Sequence, residues 1–323
     1  MILDSNSLFQ LMGGALWAEK EPYALRPWRF SREHVARMAD NDVYMVRAAA
    51  SAGMTLDFET DSRNLSFELE AQPGAGTPWF GVDVMIDDQL YYHAHNKSGT
   101  IDTTVRLPMR EGMKRVTIYL PNLCKVQIRN VTLDDGAVVS RVEKKRKILF
   151  LGDSITQGYV AEHPSASYTN ILCRALDAEC LNQAIGGAVH NIRRMDDTIG
   201  YMPDIIFSAY GTNDWSLKQD VGQNAAEWYE KLHAMYGDIP IYVLLPLWRR
   251  DLEKKEREGC GDFWQARKQI AEACKPYANC HVLDTNGFIP HTEDCFFDHV
   301  HPNEKGFKCF ANAILKAIQN DLK

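Results

Sequence analysis

The stretch KILFLGDSITQG, residues 147–158, decides the fold class of this 323-residue chain. Its apolar run, residues 148–151, ends abruptly in Gly152, Asp153 and Ser154. An unbroken apolar run is typical of a parallel strand that is buried on both faces, and glycine at its end permits a tight turn. Because open α/β folds bind ligands at the carboxyl edge of the sheet, Ser154 occupies a position suited to a nucleophile.

The pattern beyond residue 147 alternates between strand and helix. Together with the first strand, the predicted strands lie at residues 179–182, 203–210, 239–245 and 280–284. The predicted helices lie at residues 167–176, 225–236, 263–274 and 303–322. Strands that alternate with helices form a parallel sheet covered on both faces. We therefore predict a three-layer α/β/α domain with a five-stranded, flavodoxin-like parallel sheet over residues 143–323.

Residues 1–142 show a different periodicity. Short alternating runs such as residues 64–70 are separated by turn-forming pieces such as residues 97–99, and a helical turn is expected only near residues 31–38. Short strands at this spacing predict an antiparallel, jelly-roll-like β-sandwich. The charged run EKKRK, residues 143–147, separates the two patterns and marks the predicted domain boundary.

The composition of the chain indicates which classes of binding partner and which cellular compartment to expect. The formal charge of −7 argues against nucleic acid and anionic membranes, which both need basic patches. No apolar run approaches the roughly 20 residues of a membrane span, and the N-terminus lacks the basic start of a signal peptide. The eight cysteines form no CxxC pair. We expect reduced thiols in a cytoplasmic protein, with disulfides in a secreted protein as the alternative.

A serine nucleophile needs a base, a group that orients the base, and donors for the oxyanion. Gly186 and Gly187 follow the strand that ends near residue 182, so a backbone N–H there can approach a ligand closely. Asn213 follows another strand end and carries an NH₂ donor pair. The strand ends therefore supply two sources of oxyanion donors.

Asp298 and His301 are three residues apart in the loop before the last helix. One turn there can place the carboxylate against the imidazole Nδ1 and leave Nε2 free to face Ser154. Together these blocks resemble those of the SGNH (GDSL-type) hydrolase family over roughly residues 146–323. The resemblance implies a catalytic triad of Ser154, His301 and Asp298. Ile155 stands where the family's nickname has leucine, which is a conservative departure.

The resemblance also implies the oxyanion hole. Its donors would be the backbone N–H groups of Ser154 and Gly187 and the side-chain amide of Asn213. Gly186 is the one-residue alternative to Gly187. The family mechanism needs no metal and no cofactor, so we expect neither.

Some carbohydrate esterases of this family pair a β domain with the hydrolase domain. The resemblance therefore implies a serine esterase that removes small acyl groups, most simply acetyl, from a sugar or oligosaccharide through an acyl-enzyme. Three roles fit the β domain: binding sugar, completing the active-site wall, or forming a homo-oligomer. A lysophospholipase or thioesterase and a non-catalytic carbohydrate-binding protein remain alternatives.

A metal-dependent hydrolase is a further alternative, built on the cluster of Asp298, His299, His301 and His291. It leaves the serine, glycine and asparagine blocks without a role. His93 and His95 share one face of a predicted strand, but they lack an evident third ligand, and zinc sites usually have three or four protein ligands. We interpret that pair as an exposed sheet face.

Three tryptophans are candidates for stacking on a sugar: Trp215, Trp248 and Trp264. Trp215 follows the Asn213 block directly, and Trp248 follows a predicted strand. We predict that Trp215 and Trp248 bind substrate. A place in the core is the alternative, since tryptophan is highly buried on average.

Overall fold

The N-terminal half of the protein consists of two antiparallel sheets. The computed structural model describes residues 1–197, 200–252, 254 and 257–321. The strands are β1 (Met12–Gly13), β2 (Trp17–Glu21), β3 (Ala24–Trp28), β4 (Thr55–Thr60), β5 (Asn64–Pro73), β6 (Phe80–Ile86), β7 (Gln89–Asn96), β8 (Ile101–Pro108), β9 (Lys114–Tyr119), β10 (Cys124–Leu133) and β11 (Val139–Arg141). One sheet has the order β1-β4-β9-β6-β7, with β11 also paired to β4, and the other has the order β2-β3-β10-β5-β8.

Alternate residues of these strands are buried in one shared core. In β5, Phe67 and Leu69 are buried whereas Glu68 and Glu70 are only partly covered. Phe67 packs in the same apolar cluster as Ile118 of the opposite sheet. The period-2 pattern thus produces two sheets with facing apolar surfaces, and the predicted β-sandwich is confirmed.

The C-terminal half contains a parallel sheet of five strands in the order β13-β12-β14-β15-β16. These are β12 (Arg146–Gly152), β13 (Ala178–Asn182), β14 (Ile205–Ala209), β15 (Ile241–Leu244) and β16 (Cys280–Leu283). The helices are α4 (Ser154–Gln157), α5 (Tyr168–Ala175), α6 (Thr212–Ser216), α7 (Val221–Tyr236), α8 (Phe263–Cys274) and α9 (Glu304–Ile318). The predicted α/β fold is confirmed. Residue 322, the predicted end of the last helix, lies outside the described residues.

Strand β12 lies inside this sheet and is buried on both faces. Ile148 and Phe150 pack with α5 and α9, while Leu149 and Leu151 pack on the side of α7 and α8. The strand ends at Gly152, where a Cβ would lie 2.4 Å from Thr156 Oγ1. Only glycine therefore allows the chain to turn directly from the strand into α4. This turn brings the next residues to the carboxyl edge of the sheet.

Three short helices belong to the N-terminal half: α1 (Ser5–Gln10), α2 (Arg32–Arg37) and α3 (Asp42–Ala48). Only α2 falls where the sequence predicts a helical turn. Tyr44 and Ala48 of α3 pack into the same apolar cluster as Leu181 and Ile185 of the C-terminal half. We keep the domain boundary between residues 142 and 143, between β11 and β12, as a proposal. Within the described chain, none of the helices combines the length and the apolar character needed to traverse a bilayer.

Arg29 is a fully buried arginine that joins the two halves. Its Nε donates a hydrogen bond to the Ala50 carbonyl at 2.8 Å, and its Nη2 to the Arg47 carbonyl at 2.7 Å. Its Nη1 donates to the carbonyls of Asn182 at 2.6 Å and Ala184 at 2.7 Å. Burial lowers the pKa of Arg29 to about 9, so it is charged at neutral pH. A single guanidinium therefore ties the end of α3 to the loop that follows β13.

We predict that Arg29→Met destabilises the protein by about 3 kcal/mol or more, because four buried carbonyls lose their donor. Urea unfolding followed by circular dichroism measures this change. Arg106→Met is the matched control, because Arg106 is exposed on β8, and it should stay within about 0.5 kcal/mol of wild type. Equal effects of the two substitutions would contradict the role of Arg29.

Candidate active site

Ser154 is the first residue of α4, directly beyond the end of β12. Asp153 caps this helix, since its side chain accepts a hydrogen bond from the Ile155 N–H at 3.0 Å. The Ser154 Oγ lies 2.8 Å from Nε2 of His301. The predicted nucleophile and base therefore lie within direct proton-transfer distance.

Asp298 orients His301 from the same loop. His301 Nδ1 lies 2.8 Å from the Asp298 Oδ2, and the Asp298 Oδ1 accepts hydrogen bonds from the N–H groups of Val300 and His301, both at 2.7 Å. Partial burial alone would raise the pKa of Asp298. The hydrogen bonds and charge of His301, with the two backbone donors, outweigh burial and hold this pKa well below its usual range. Asp298 is thus ionised and suited to stabilise a protonated His301.

The two glycines after β13 occupy different environments. The Gly186 N–H donates a hydrogen bond to Gln157 Oε1 at 2.7 Å. Gly187 has φ +78°, which strongly favours glycine. In the described chain the N–H groups of Gly187 and Ser154 have no hydrogen-bond partner. This geometry favours Gly187 over Gly186 as an oxyanion donor.

Asn213 lies in α6, which follows the third strand of the sheet, and lines the same cleft as Ser154. Its Nδ2 donates to the Ala188 carbonyl at 3.0 Å and lies 3.4 Å from Asp153 Oδ2. The second contact is long for a hydrogen bond. One N–H of the Asn213 amide is therefore weakly engaged and suited to bind a substrate oxygen.

Tyr159 links His301 to the β-sandwich half. Its ring packs against the His301 ring with centroids 4.4 Å apart, and its hydroxyl hydrogen-bonds to Thr77 Oγ1. The next residue, Val160, has φ +62°, which is rare for a β-branched residue and stores backbone strain. Nothing in the sequence indicates this contact, because Thr77 and Tyr159 belong to different halves of the chain.

The cleft beside Ser154 has a volume of about 230 Å³ and is lined by both halves of the protein. The C-terminal half contributes the proposed catalytic and oxyanion residues with Gln157 and Tyr159. The N-terminal half contributes Arg47, Ala75 and Gly76. Arg47 also donates a hydrogen bond to the Gly186 carbonyl. The β-sandwich half therefore forms part of the wall of the cleft.

The predicted substrate-binding tryptophans line a separate cleft together with Trp264, and neither of them lines the cleft beside Ser154. Trp215 is only 3% exposed, and its ring packs edge-on against Phe263. Trp248 is partly exposed and stacks on His291 with ring centroids 4.3 Å apart. Little of the Trp215 ring is free for a sugar, whereas Trp264 is 43% exposed. Their role in substrate binding stays a prediction.

The alternative metal cluster around Asp298 is not assembled among the residues that the structure describes. His299 is exposed and contacts Lys254, and His291 hydrogen-bonds to the Asn286 carbonyl. His301 faces Ser154. The donor atoms of these histidines therefore do not converge on one point.

A different group of potential metal ligands lies between the two halves. Asp83, His93 and His163 each place a donor atom within 4.8 Å of the others. His93 Nδ1 hydrogen-bonds to Asp83 at 2.7 Å, and His163 Nδ1 to Glu304 at 3.0 Å. The two imidazoles stack with centroids 3.7 Å apart. The stacked rings do not direct their in-plane lone pairs toward one ion, so we interpret the group as a contact between the two halves. The expected exposed sheet face is therefore wrong for His93, which is partly covered by His163.

The fold, together with the serine, glycine, asparagine and Asp-x-x-His segments at the carboxyl edge of its parallel sheet, defines an ester hydrolase of the SGNH type. Residues 150–309 match the sequence profile of the GDSL-like Lipase/Acylhydrolase family, and this part of the chain is a domain of that family. A comparison with curated proteins gave no match.

Solved structures share the two-part architecture of this chain. The salicylyl-acyltransferase SsfX3 from a tetracycline biosynthetic pathway superposes with a TM-score of 0.79 at 23% identity, over 96% of this chain and 94% of its own. A family two carbohydrate esterase from Cellvibrio japonicus gives 0.63 at 20% identity, over 95% and 97% of the two chains. A family two carbohydrate esterase from Clostridium thermocellum superposes with a TM-score of 0.62 at 16% sequence identity, over 93% of this chain and 99% of its own. At these identities the likeness shows a shared fold.

We predict that Gly187→Ala lowers kcat by about 100-fold or more, since it displaces an oxyanion donor. The new Cβ would lie 3.0 Å from the Arg47 Nη1, on a backbone with positive φ. Gly186→Ala is the matched control, because its Cβ would lie at an ordinary 3.4 Å from Gln157 Oε1. Steady-state hydrolysis of para-nitrophenyl acetate measures both. A greater loss in Gly186→Ala would reverse the assignment.

A second prediction concerns the pH dependence of stability. Burial raises the pKa of Asp153 to about 6. Between about pH 4 and pH 6 the unfolded chain loses this proton while the folded chain keeps it, so the free energy of unfolding falls as the pH rises through that window. Asp153→Asn keeps a helix-capping oxygen. It should remove the part of the decrease in the free energy of unfolding that comes from Asp153. Urea unfolding across the window tests it, and parallel curves for the two proteins would contradict it.

Proposed function

We propose that the protein is a serine esterase that removes small acyl groups, acetyl foremost, from a sugar or oligosaccharide. The observation that carries this proposal is the continuous hydrogen-bonded chain from Asp298 through His301 to Ser154, with 2.8 Å at each of its two links. A serine held this way is an activated nucleophile for an ester carbonyl. The small cleft, lined mainly by small and polar side chains, favours a short acyl group over a long one.

The proposed mechanism has two stages, acylation of Ser154 and hydrolysis of the acyl-serine. His301 Nε2 accepts the Ser154 hydroxyl proton while Oγ bonds to the carbonyl carbon, and the resulting oxyanion is bound by the N–H groups of Ser154 and Gly187 and the Asn213 amide. The intermediate collapses, the sugar hydroxyl leaves with the proton from His301, and an acyl-serine remains. His301 then deprotonates water, which attacks the acyl-serine, and the acid is released with Ser154 restored. Asp298 stabilises the protonated imidazole of His301 in both stages.

The carbohydrate esterases with this fold support a saccharide substrate, and the wall that the β-sandwich half provides supports a role in substrate positioning. Acetate release from acetylated oligosaccharides, compared with hydrolysis of long-chain esters, tests the substrate class. Acetate release is the expected result. Turnover of long-chain esters without acetate release would indicate a lysophospholipase or thioesterase.

The serine mechanism has its own test. A fluorophosphonate probe should label Ser154, and Ser154→Ala should abolish both labelling and turnover. Absence of labelling and turnover in the wild-type protein would favour a non-catalytic carbohydrate-binding protein. Activity that survives Ser154→Ala but is lost with a chelator would favour a metal-dependent hydrolase.

We predict that Asn213→Ala lowers kcat by about 10²–10³-fold, the usual loss for one oxyanion donor, while the protein stays folded, because the lost hydrogen bond to the Ala188 carbonyl contributes only about 1 kcal/mol. Asn224→Ala, on α7 and outside the cleft, is the matched control and should retain wild-type turnover. The two variants are compared by kcat and by thermal unfolding. Near wild-type turnover in Asn213→Ala would refute the role of this amide.

A further inference from the structure

Arg47 brings a positive charge from the N-terminal half to the site of ester cleavage. It lies in the last turn of α3 and lines the cleft together with Ser154, Gly187 and His301. A Cβ on Gly187 would lie 3.0 Å from the Arg47 Nη1, so the guanidinium lies directly against the proposed oxyanion residue. A group bound by Arg47 is therefore within a few bonds of the scissile carbonyl.

This charge is not neutralised by the protein. Among the residues that the structure describes, no carboxylate forms an ion pair with Arg47, and the lining of the cleft includes neither aspartate nor glutamate. By contrast, Arg37 pairs with Asp197 at 2.9 Å, and Arg249 with Asp251 at 2.8 Å. An unpaired cation in the cleft beside Ser154 of a chain with net charge −7 is therefore available to an anionic group of a ligand.

The hydrogen-bonding capacity of Arg47 is also largely unused. A guanidinium carries five N–H donors, and in the described chain the Arg47 side chain uses one of them, toward the Gly186 carbonyl. Arginine presents its remaining donors in a planar fork that matches a carboxylate. Arg47 can therefore hold the Gly186 carbonyl and still bind a carboxylate of the substrate.

We propose that Arg47 is a specificity-determining residue that binds a carboxylate next to the scissile ester. The substrate is then an acidic ester, with the carboxylate either on the sugar, as in an acetylated uronic acid, or on the acyl group, as in a dicarboxylic half-ester. The inference rests on the proposed esterase function and specifies its substrate class.

Two matched substrate pairs test the proposal. Acetylated methyl glucuronide is compared with acetylated methyl glucoside, and para-nitrophenyl hemiglutarate with para-nitrophenyl valerate. We expect wild type to prefer the charged member of at least one pair by about 10- to 100-fold in kcat/KM, the usual effect of a charge-assisted hydrogen bond. The preferred pair identifies which part of the substrate bears the carboxylate. Added salt should weaken the preference.

Variants separate recognition from loop support. Arg47→Met should lower kcat/KM for both members of a pair, because the Gly186 contact is lost, and should also abolish the preference for the charged member. Arg47→Lys should retain part of the preference, and the exposed control Arg106→Met all of it. No preference in wild type, or an unchanged preference in Arg47→Met, would overturn the role of Arg47. Failure of wild type to cleave any of the four esters or to react with a fluorophosphonate would instead remove the proposed function and this inference with it.

Discussion

The buried guanidinium of Arg29 is the constraint on which the arrangement of the active site depends. It donates hydrogen bonds to carbonyls at the end of α3 and to carbonyls at the start of the loop after β13. That loop carries Gly187, and α3 carries Arg47. Because a buried charge is stable only when its donors are satisfied, these four carbonyls must keep their relative positions. The loop that carries Gly187 is thereby fixed to the N-terminal half.

Other contacts also join the two halves of the protein near Ser154. Thr77 of the sandwich half holds the Tyr159 hydroxyl, and the Tyr159 ring packs on His301. The rings of His93 and His163 stack between the two halves. His163 also contacts Glu304, the first residue of α9, which follows the loop that carries His301. The β-sandwich half thus contacts the loop that carries Gly187 and, through Tyr159, the ring of His301. We regard it as part of the active site.

The sequence predicted the parallel sheet and the triad geometry because both depend on short-range patterns. Apolar runs that end in glycine or asparagine identify strand ends, and parallel strands bring those ends to one edge. Asp298 and His301 are close in sequence, so one turn suffices. Arg29 and Arg47 were missed because their distant partners, 153 and 139 residues away, are backbone carbonyls, which no particular residue type indicates in the sequence. An arginine flanked by Trp28 and Phe30 was the one local indication that a charge is buried there.

The central claim is that Ser154 carries the acyl group during turnover. Rapid acid quench of the enzyme during hydrolysis of an acetyl ester, followed by mass spectrometry of its peptides, tests this most directly. We expect one acetyl group on the peptide that contains Ser154, and none in Ser154→Ala. Sustained ester hydrolysis with no acyl group on that peptide, and undiminished turnover in Ser154→Ala, would contradict it.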